Sequence, residues 1–306
     1  MNKKAMCLLL CVLIIAVTGC TEKNVKVISL KKTQINEENL QFDNKTIKIA
    51  IASVISPKKT YIYYEDLMDY ISKKLGMPIK IVQRDSYKET NDLLEKGEVE
   101  IGFVCSGAYI AGHDEFGMEL LVAPKMYNES VYYSYIIVHK DSKIQNFEDL
   151  RGKTFAFTDP LSNTGKLYPT YRLAIHNETP DSYFGNYIFT RSHDNSIELV
   201  AWNIVDGAAV DSLIWEYANE IDPEFTSKTR IIEKSPPFGI PPVVVNSNID
   251  PKLKNTIKQI LLAMDENKEG KKILSKLKID EFVVVNDSSY DFIRNMKWFI
   301  EKNKRN

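Results

Sequence analysis

The feature that most constrains this chain is an alternation that begins at Thr46, in which a short apolar run is followed by an amphipathic one. Thr46 to Ser53 alternates in polarity and then turns continuously apolar, as a strand buried within a sheet does. Beyond Pro57-Lys58-Lys59-Thr60, the stretch Tyr61 to Leu75 sets Leu67, Tyr70, Ile71 and Leu75 on one helical face, and Gly76 ends it. Met77 to Val82 reads as a second strand, Tyr87 to Lys96 as a helix stopped by Gly97, and Val99 to Val104 as a third strand. Strands joined through helices run parallel, so this part of the chain predicts an α/β layer with crossover helices.

Gly112 to Gly117 reads as a turn, followed by strands at 119–124 and 132–139 and a short helix at 147–151 stopped by Gly152. From Lys153 the alternation restarts as a second α/β lobe. Its strands fall at 154–157, 187–190, 207–211 and 230–232, and its helices at 170–176, 194–203 and 212–220. Val243-Val244-Val245 is a return strand, and 251–264, 270–277 and 289–301 supply closing helices. The expected division is one lobe from 45–137 with 241–306 and another from 138–240, joined by two crossovers. A double crossover suits hinge closure about a cleft, with a ligand at strand C-termini and helix N-termini.

The residues before 45 carry an address. Met1-Asn2-Lys3-Lys4, an apolar run from Ala5 to Val17 and small residues before Cys20 form a secretory signal. Val17-Thr18-Gly19-Cys20 resembles a bacterial lipobox, which implies cleavage before Cys20 and acylation of its thiol. The apolar run falls short of the roughly 20 residues that span a membrane. A signal peptide at 1–19 and a lipidated polar tether at 20–44 are therefore expected, with the body outside the cell membrane on a lipid anchor. Cleavage removes Lys3 and Lys4, so 40 basic residues become 38 against 41 acidic ones and the net charge becomes −3. No basic excess points to nucleic acid. Cys7 and Cys11 leave with the signal, and Cys105 stands alone, so neither a disulfide framework nor a cysteine metal site is expected.

The polar turn Asp159-Pro160-Leu161-Ser162-Asn163-Thr164-Gly165 follows the strand at 154–157 and precedes a helix. That order aims unpaired backbone N–H groups and the positive end of a helix dipole at one point, where an anion fits. Ser162 is a good N-cap, Ser162 and Thr164 add hydroxyl donors, Asn163 adds an amide, and Gly165 lets a ligand approach the backbone. An ordinary capped helix start fits the same residues.

Asp149-Leu150-Arg151-Gly152-Lys153-Thr154-Phe155-Ala156-Phe157, Asp159-Pro160 and Ser162-Asn163-Thr164-Gly165 together resemble the signature of PhnD-type substrate-binding proteins. These serve ABC importers of phosphonate, phosphite and related phosphorus oxyanions. The likeness continues through Ser192-His193-Asp194-Asn195-Ser196-Ile197, Asp206 to Ser212 and Ser235 to Pro242, and spans roughly residues 46–300. It implies a two-lobed type II periplasmic-binding-protein fold, each lobe a mixed sheet flanked by helices, with two crossover hinge segments. It implies no catalysis and no cofactor, and a monomer that hands its ligand to an ABC permease. Carried over by position, the anion cradle falls on Ser162, Asn163 and Thr164, the histidine on His193 and an acceptor on Asp211. Tyrosines from the other lobe fall on Tyr87 and Tyr132, with Tyr133 and Tyr109 as competitors.

Hydroxyl and imidazole donors satisfy a phosphoryl group without excess charge. Asp211 can accept from a protonated P–OH and so reject sulfate-like anions, or it can simply cap the helix at Ser212. Asn163 departs from the family's more frequent threonine, and 235–242 offers no carboxylate to meet a ligand ammonium. Phe238, Tyr87 and Trp202 could wall a small apolar space for a P–H or P–CH₃ group, although Trp202 also reads as helix core. A phosphorus-ester or phosphonate hydrolase, a ferric-iron binder using Tyr132-Tyr133 and a lipid-anchored sensor ectodomain are the competing classes. The four histidines show no H-E-x-x-H spacing.

Overall fold

The computed structural model describes residues 46–303, so the expected signal peptide, the tether and Cys20 lie outside the described residues. The first lobe opens with β1 (Ile47–Ile51), α1 (Pro57–Leu75), β2 (Ile79–Val82), α2 (Tyr87–Glu95), β3 (Ile101–Phe103), α3 (Ser106–Phe116) and β4 (Glu119–Lys125). Through β5 (Val131–Tyr132) the chain enters the second lobe. That lobe holds β6 (Ser134–His139), β7 (Thr154–Phe157), α4 (Tyr168–Ala174), α5 (Pro180–Tyr183), β8 (Asn186–Phe189), α6 (His193–Ala201), β9 (Gly207–Asp211), α7 (Ser212–Ile221) and β10 (Thr229–Lys234). The return runs through β11 (Phe238–Gly239) to β12 (Val243–Val245), α8 (Pro251–Leu262), α9 (Lys268–Lys276), β13 (Glu281–Val283) and α10 (Asp291–Asn303).

The first sheet has the order β13-β4-β12-β3-β1-β2, with β1 parallel to β2 and β3 and the returning β12 inserted antiparallel between β3 and β4. The second has the order β10-β6-β9-β7-β8, with β7 parallel to β8 and β9 and β6 antiparallel to β9 and β10. The two crossovers pair with each other, β5 against β11. The apolar runs become the sheet interiors. Ile47, Ile49, Val243 and Val245 are buried with Leu67, Ile71 and Leu75 of α1 on one side of the first sheet, and Ile137, Ala208 and Val210 with Ile197 and Val200 of α6 on one side of the second. Burial on both faces is what continuous apolar strands require.

Three sequence expectations need correction. The turn expected at 112–117 is the second half of α3, which ends at Gly117 with φ of 74°. Gly112 sits inside that helix because a Cβ there would fall 2.4 Å from Met118 Cε, so close packing rather than a turn explains it. The lobe division expected at 137/138 cuts through β6, whose partners are β9 and β10, so the change of sheet precedes Ser134. The segment 241–306 was assigned wholly to the first lobe, yet α10 lies against α4 of the second as well as α3 of the first, with Phe299 edge-on to Tyr171 at 5.4 Å.

The lobes are closed upon each other. Tyr87 N–H at the start of α2 donates to Asp159 Oδ2 (3.2 Å), Ser56 N–H before α1 donates to Asp194 Oδ1 (3.0 Å), and His193 N–H donates to the Val54 carbonyl (2.9 Å). In the same seam Gly107 of α3 meets the 161–163 backbone so tightly that a Cβ would stand 2.3 Å from the Leu161 oxygen. No side chain yields there, because the obstacle is main chain. Gly107→Ala should therefore hold the lobes apart and weaken ligand binding at least tenfold, while the chemical-denaturation stability of the protein alone changes by less than about 1 kcal/mol. Titration calorimetry with urea unfolding checks this, and undiminished binding would show that the seam need not close.

Candidate functional site

The starts of α2, α6 and α7 and of the turn before α4 meet at the seam, and local sequence fixes the residue each presents. Tyr87 opens α2 behind a capping box, in which Ser86 Oγ accepts from Glu89 N–H (3.2 Å) and Glu89 Oε2 from Ser86 N–H (3.0 Å). Across the seam, β7 ends and the chain turns through Asp159 and Pro160 into a π-helical turn, Asn163–Leu167, that runs on into α4. Leu167 N–H reaches back to the Ser162 carbonyl at 2.9 Å, and Ser162 Oγ caps the turn by accepting from Gly165 N–H at 3.0 Å. The wide turn places Asn163, Thr164 and Gly165 at its buried edge, and bulged helical turns of this kind recur at functional sites. Gly165 does not expose backbone to a ligand, since a Cβ there would lie 2.4 Å from Thr158 Oγ1. Its small size admits the Thr158 side chain instead.

The seven residues singled out from the sequence come together in one buried cluster: Tyr87, Tyr132, Ser162, Asn163, Thr164, His193 and Asp211 are all essentially inaccessible to solvent. Asn163 Nδ2 donates to the Tyr132 hydroxyl (3.1 Å), and Cys105 Sγ lies 4.0 Å from that same hydroxyl. The Asp211 carboxyl is close enough to raise the pKa of Tyr87, Tyr132 and Cys105 alike, after burial itself, which is the larger cause. Both tyrosines stay protonated and serve as neutral donors. Of the competitors, Tyr109 is committed to Asp287 at 2.6 Å and Tyr133 to Glu129 at 3.4 Å. Because neighbouring residues at the end of a strand face opposite ways, the Tyr132 and Tyr133 hydroxyls do not converge as an iron-binding pair would need. Trp202 is 53% exposed and packs edge-on to Phe225, and Phe238 is buried between Tyr132, Tyr168 and Phe292, so neither expected wall takes its place with Tyr87.

His193 begins α6 after a turn in which Arg191 adopts φ of 72°, a strained conformation for a side chain of that size. Its Nδ1 accepts from the Asp211 backbone N–H at 3.1 Å, which fixes the proton on Nε2. Burial lowers its pKa to about 3, so the ring is a neutral donor through Nε2. Asp211 ends β9 and caps α7, its Oδ1 accepting from Leu213 N–H at 2.8 Å. Burial raises its pKa to about 7 although the Leu213 and Ile214 amides pull the other way. Capping and a site role are thus compatible for one carboxyl.

Several of these groups make no hydrogen bond within the protein: Tyr87 Oη, Thr164 Oγ1, Asn163 Oδ1, Ser192 Oγ and His193 Nε2. Buried polar atoms are normally paired, and a cluster of exceptions at helix N-termini marks a place built for a polar guest. Rotating the Asn163 amide half a turn would let Oδ1 accept from Tyr132 and present an N–H instead. Sequence reasoning missed Asp159, Asp194, Ser192 and the Val54–Ser56 backbone. Asp159 and Asp194 stood inside the motifs, but their partners lie in the other lobe.

Two α/β lobes with a paired double crossover, closed over helix N-termini, are the architecture of type II periplasmic binding proteins. The pattern of the family described as ABC transporter, phosphonate, periplasmic substrate-binding protein matches residues 49–290, and the chain belongs to that family. The phosphonates-binding periplasmic protein of Escherichia coli K12 is 24% identical over 274 residues, covering 88% of this chain and 81% of that one. A binding-protein component of an ABC phosphonate transporter from Pseudomonas aeruginosa superposes with a TM-score of 0.81 at 25% identity, over 86% of this chain and 88% of its own. PhnD1 of Prochlorococcus marinus, solved with methylphosphonate, shares the fold with a TM-score of 0.77 at 18% identity, over 85% and 100% of the two chains.

The two buried titrating groups pull stability in opposite directions. Folded Asp211 keeps a proton that the unfolded chain loses from about pH 4, so its burial costs nothing below pH 4 and up to about 4 kcal/mol above pH 7. Folded His193 resists a proton that the unfolded chain binds, so its burial costs nothing above about pH 6.5 and more as pH falls toward 3. Relative to the parent, Asp211→Asn should gain stability between about pH 4 and pH 8, and His193→Gln should lose its relative gain over that range. Urea unfolding along a pH series measures both differences, and flat ones would mean that neither group is held off its ordinary pKa.

Proposed function

We propose that this chain is the solute-binding lipoprotein of an ABC importer, capturing a small phosphorus oxyanion such as a phosphonate or phosphite between its lobes. The observation that carries this reading is the set of buried, unpaired polar atoms on Tyr87, Thr164 and His193 around Asp211. Neutral donors from both lobes would surround the phosphoryl oxygens, and Asp211 would accept from a P–OH. Family membership and the Escherichia coli relative support transport over chemistry. Tethered through an acylated Cys20 outside the cell membrane, a monomer in this reading presents its closed form to the permease. The cycle needs no cofactor, because closing on the guest and reopening at the permease is the whole of the work.

Calorimetry with phosphite, methylphosphonate, phosphate and sulfate tests the reading. Saturable one-to-one binding is expected for at least one phosphorus oxyanion, with sulfate at least tenfold weaker above about pH 7, where Asp211 is a carboxylate and sulfate brings it no proton. Thr164→Val and Tyr87→Phe should each weaken binding about tenfold or more, the usual worth of a hydrogen bond to a charged group. Asp211→Asn should narrow the gap between the phosphorus oxyanion and sulfate. Sulfate binding as tightly as every phosphorus anion, or no phosphorus anion binding at all, would overturn it.

A further inference from the structure

A cavity adjoins the polar cluster at Asp211. It is an interlobe chamber of about 180 Å³ whose walls are mostly hydrocarbon, with Val54, Tyr64 and Phe103 from the first lobe, Leu213 and Ile214 from the second and Pro241 from the return crossover. Asp211 belongs to both the chamber lining and the polar cluster. Its carboxyl lines the chamber and at the same time acts on the hydroxyls of Tyr87 and Tyr132 in the cluster. Val54 joins them a second time, since its carbonyl accepts from His193 N–H while the residue borders the chamber. Protein interiors seldom keep voids beyond the size of a water molecule, and an apolar cavity of about 150 Å³ is enough to hold benzene. Of the four acidic residues at its border, Asp194 accepts from Ser56 N–H, Glu198 has a partner of its own and Asp211 accepts from Leu213 N–H, while Asp222 sits past the far end of α7 and is exposed to solvent. The return crossover, Ile240-Pro241-Pro242, brings no charge.

We propose that the preferred ligand is a phosphonate bearing an uncharged, apolar substituent well beyond methyl in size, a butyl-like chain or an aryl ring, which fills this chamber while the phosphoryl head occupies the polar cluster. The inference rests on the phosphorus-oxyanion reading above and narrows it to one class of substrate. The head is held by donors at the helix starts, and the carbon attached to phosphorus leaves past Asp211 between Tyr64 and Leu213. A C–P bond suits such a ligand because the chamber has few donors to spare for an ester oxygen.

The test is a calorimetric series of methyl-, n-butyl-, phenyl- and 2-aminoethylphosphonate on the mature chain and on Ala218→Phe. Ala218 lines the chamber two helical turns beyond Asp211, so a phenyl side chain there fills the space without touching the polar cluster. Each buried CH₂ strengthens binding roughly fourfold, so butylphosphonate should bind on the order of 50-fold more tightly than methylphosphonate, and phenylphosphonate at least tenfold more tightly. In Ala218→Phe that advantage should vanish while methylphosphonate stays within about twofold. Should the variant fail to fold, the ranking on the parent protein decides alone. Methylphosphonate binding as well as the larger two, or 2-aminoethylphosphonate binding best, overturns the proposal and leaves the phosphorus-oxyanion reading standing. If no phosphonate, phosphite or phosphate binds, both fall together.

Discussion

A buried polar group that finds no partner costs roughly 1–3 kcal/mol. This protein places such groups on Tyr87, Thr164 and His193 at the seam between its lobes. Closing the seam gains three hydrogen bonds donated by main-chain N–H groups, from Tyr87 and Ser56 to the Asp159 and Asp194 carboxylates at roughly 1.5–3 kcal/mol each and from His193 to the Val54 carbonyl at about 1 kcal/mol. The gains and the cost are of similar size. Closure around nothing is therefore near balance, and a guest that pairs the three donors tips it strongly toward the closed form. That balance explains why a clamshell needs latches in its backbone and unsatisfied groups in its side chains at once. Stronger latches would close it without cargo, and satisfied donors would leave it nothing to recognise.

The electrostatic design follows from the same burial. A lysine or arginine in the cluster would hold an anion tightly, but it would have to be desolvated and would hold sulfate equally well. Helix starts, hydroxyls and a neutral imidazole supply positive potential without a formal charge. The Asp211 amide fixes which nitrogen of His193 carries the proton, while in the proposed reading the Asp211 side chain reads the charge of the guest. In that reading one residue orients the donor and screens the anion, through its backbone and its carboxyl respectively.

Much of the fold was legible because its strands are buried on both faces and its helices are amphipathic. Ile47, Ile49, Leu67 and Ile71 obey those periods and sit in the core. The 112–117 segment misled because Gly112 looks like a stop yet serves helix packing, a matter of which side chain stands opposite. The cluster was legible only through motif order, since spacing alone left Ser162 to Thr164 as a plain helix cap and Asp211 as another. What no local pattern carries is pairing across the seam. Asp159 meets Tyr87 72 residues away, and Asp194 meets Ser56 138 residues away. Trp202 was misread for the opposite reason: it follows an amphipathic helix but falls at that helix's exposed end, where Phe225 covers only one face of its ring.

The join between cluster and chamber falls on the boundary of β9 and α7, and that position has a mechanical consequence. Asp211 is the last residue of the strand and the cap of the helix, while Leu213 and Ile214 occupy the helix's first turn. Carboxyl and apolar wall are thus parts of one rigid piece, held to the sheet through the pairing of Asp211 with Ser134. When the second lobe swings in, the carboxyl proposed to read charge and the wall proposed to read shape arrive together. A ligand with the right head and the wrong substituent then meets the same closing motion as one with the right substituent and the wrong head. In the proposed reading either mismatch would stop the swing short of the Tyr87–Asp159 and Ser56–Asp194 latches, so that selectivity for both ends of the ligand would be registered as one event, completion of closure.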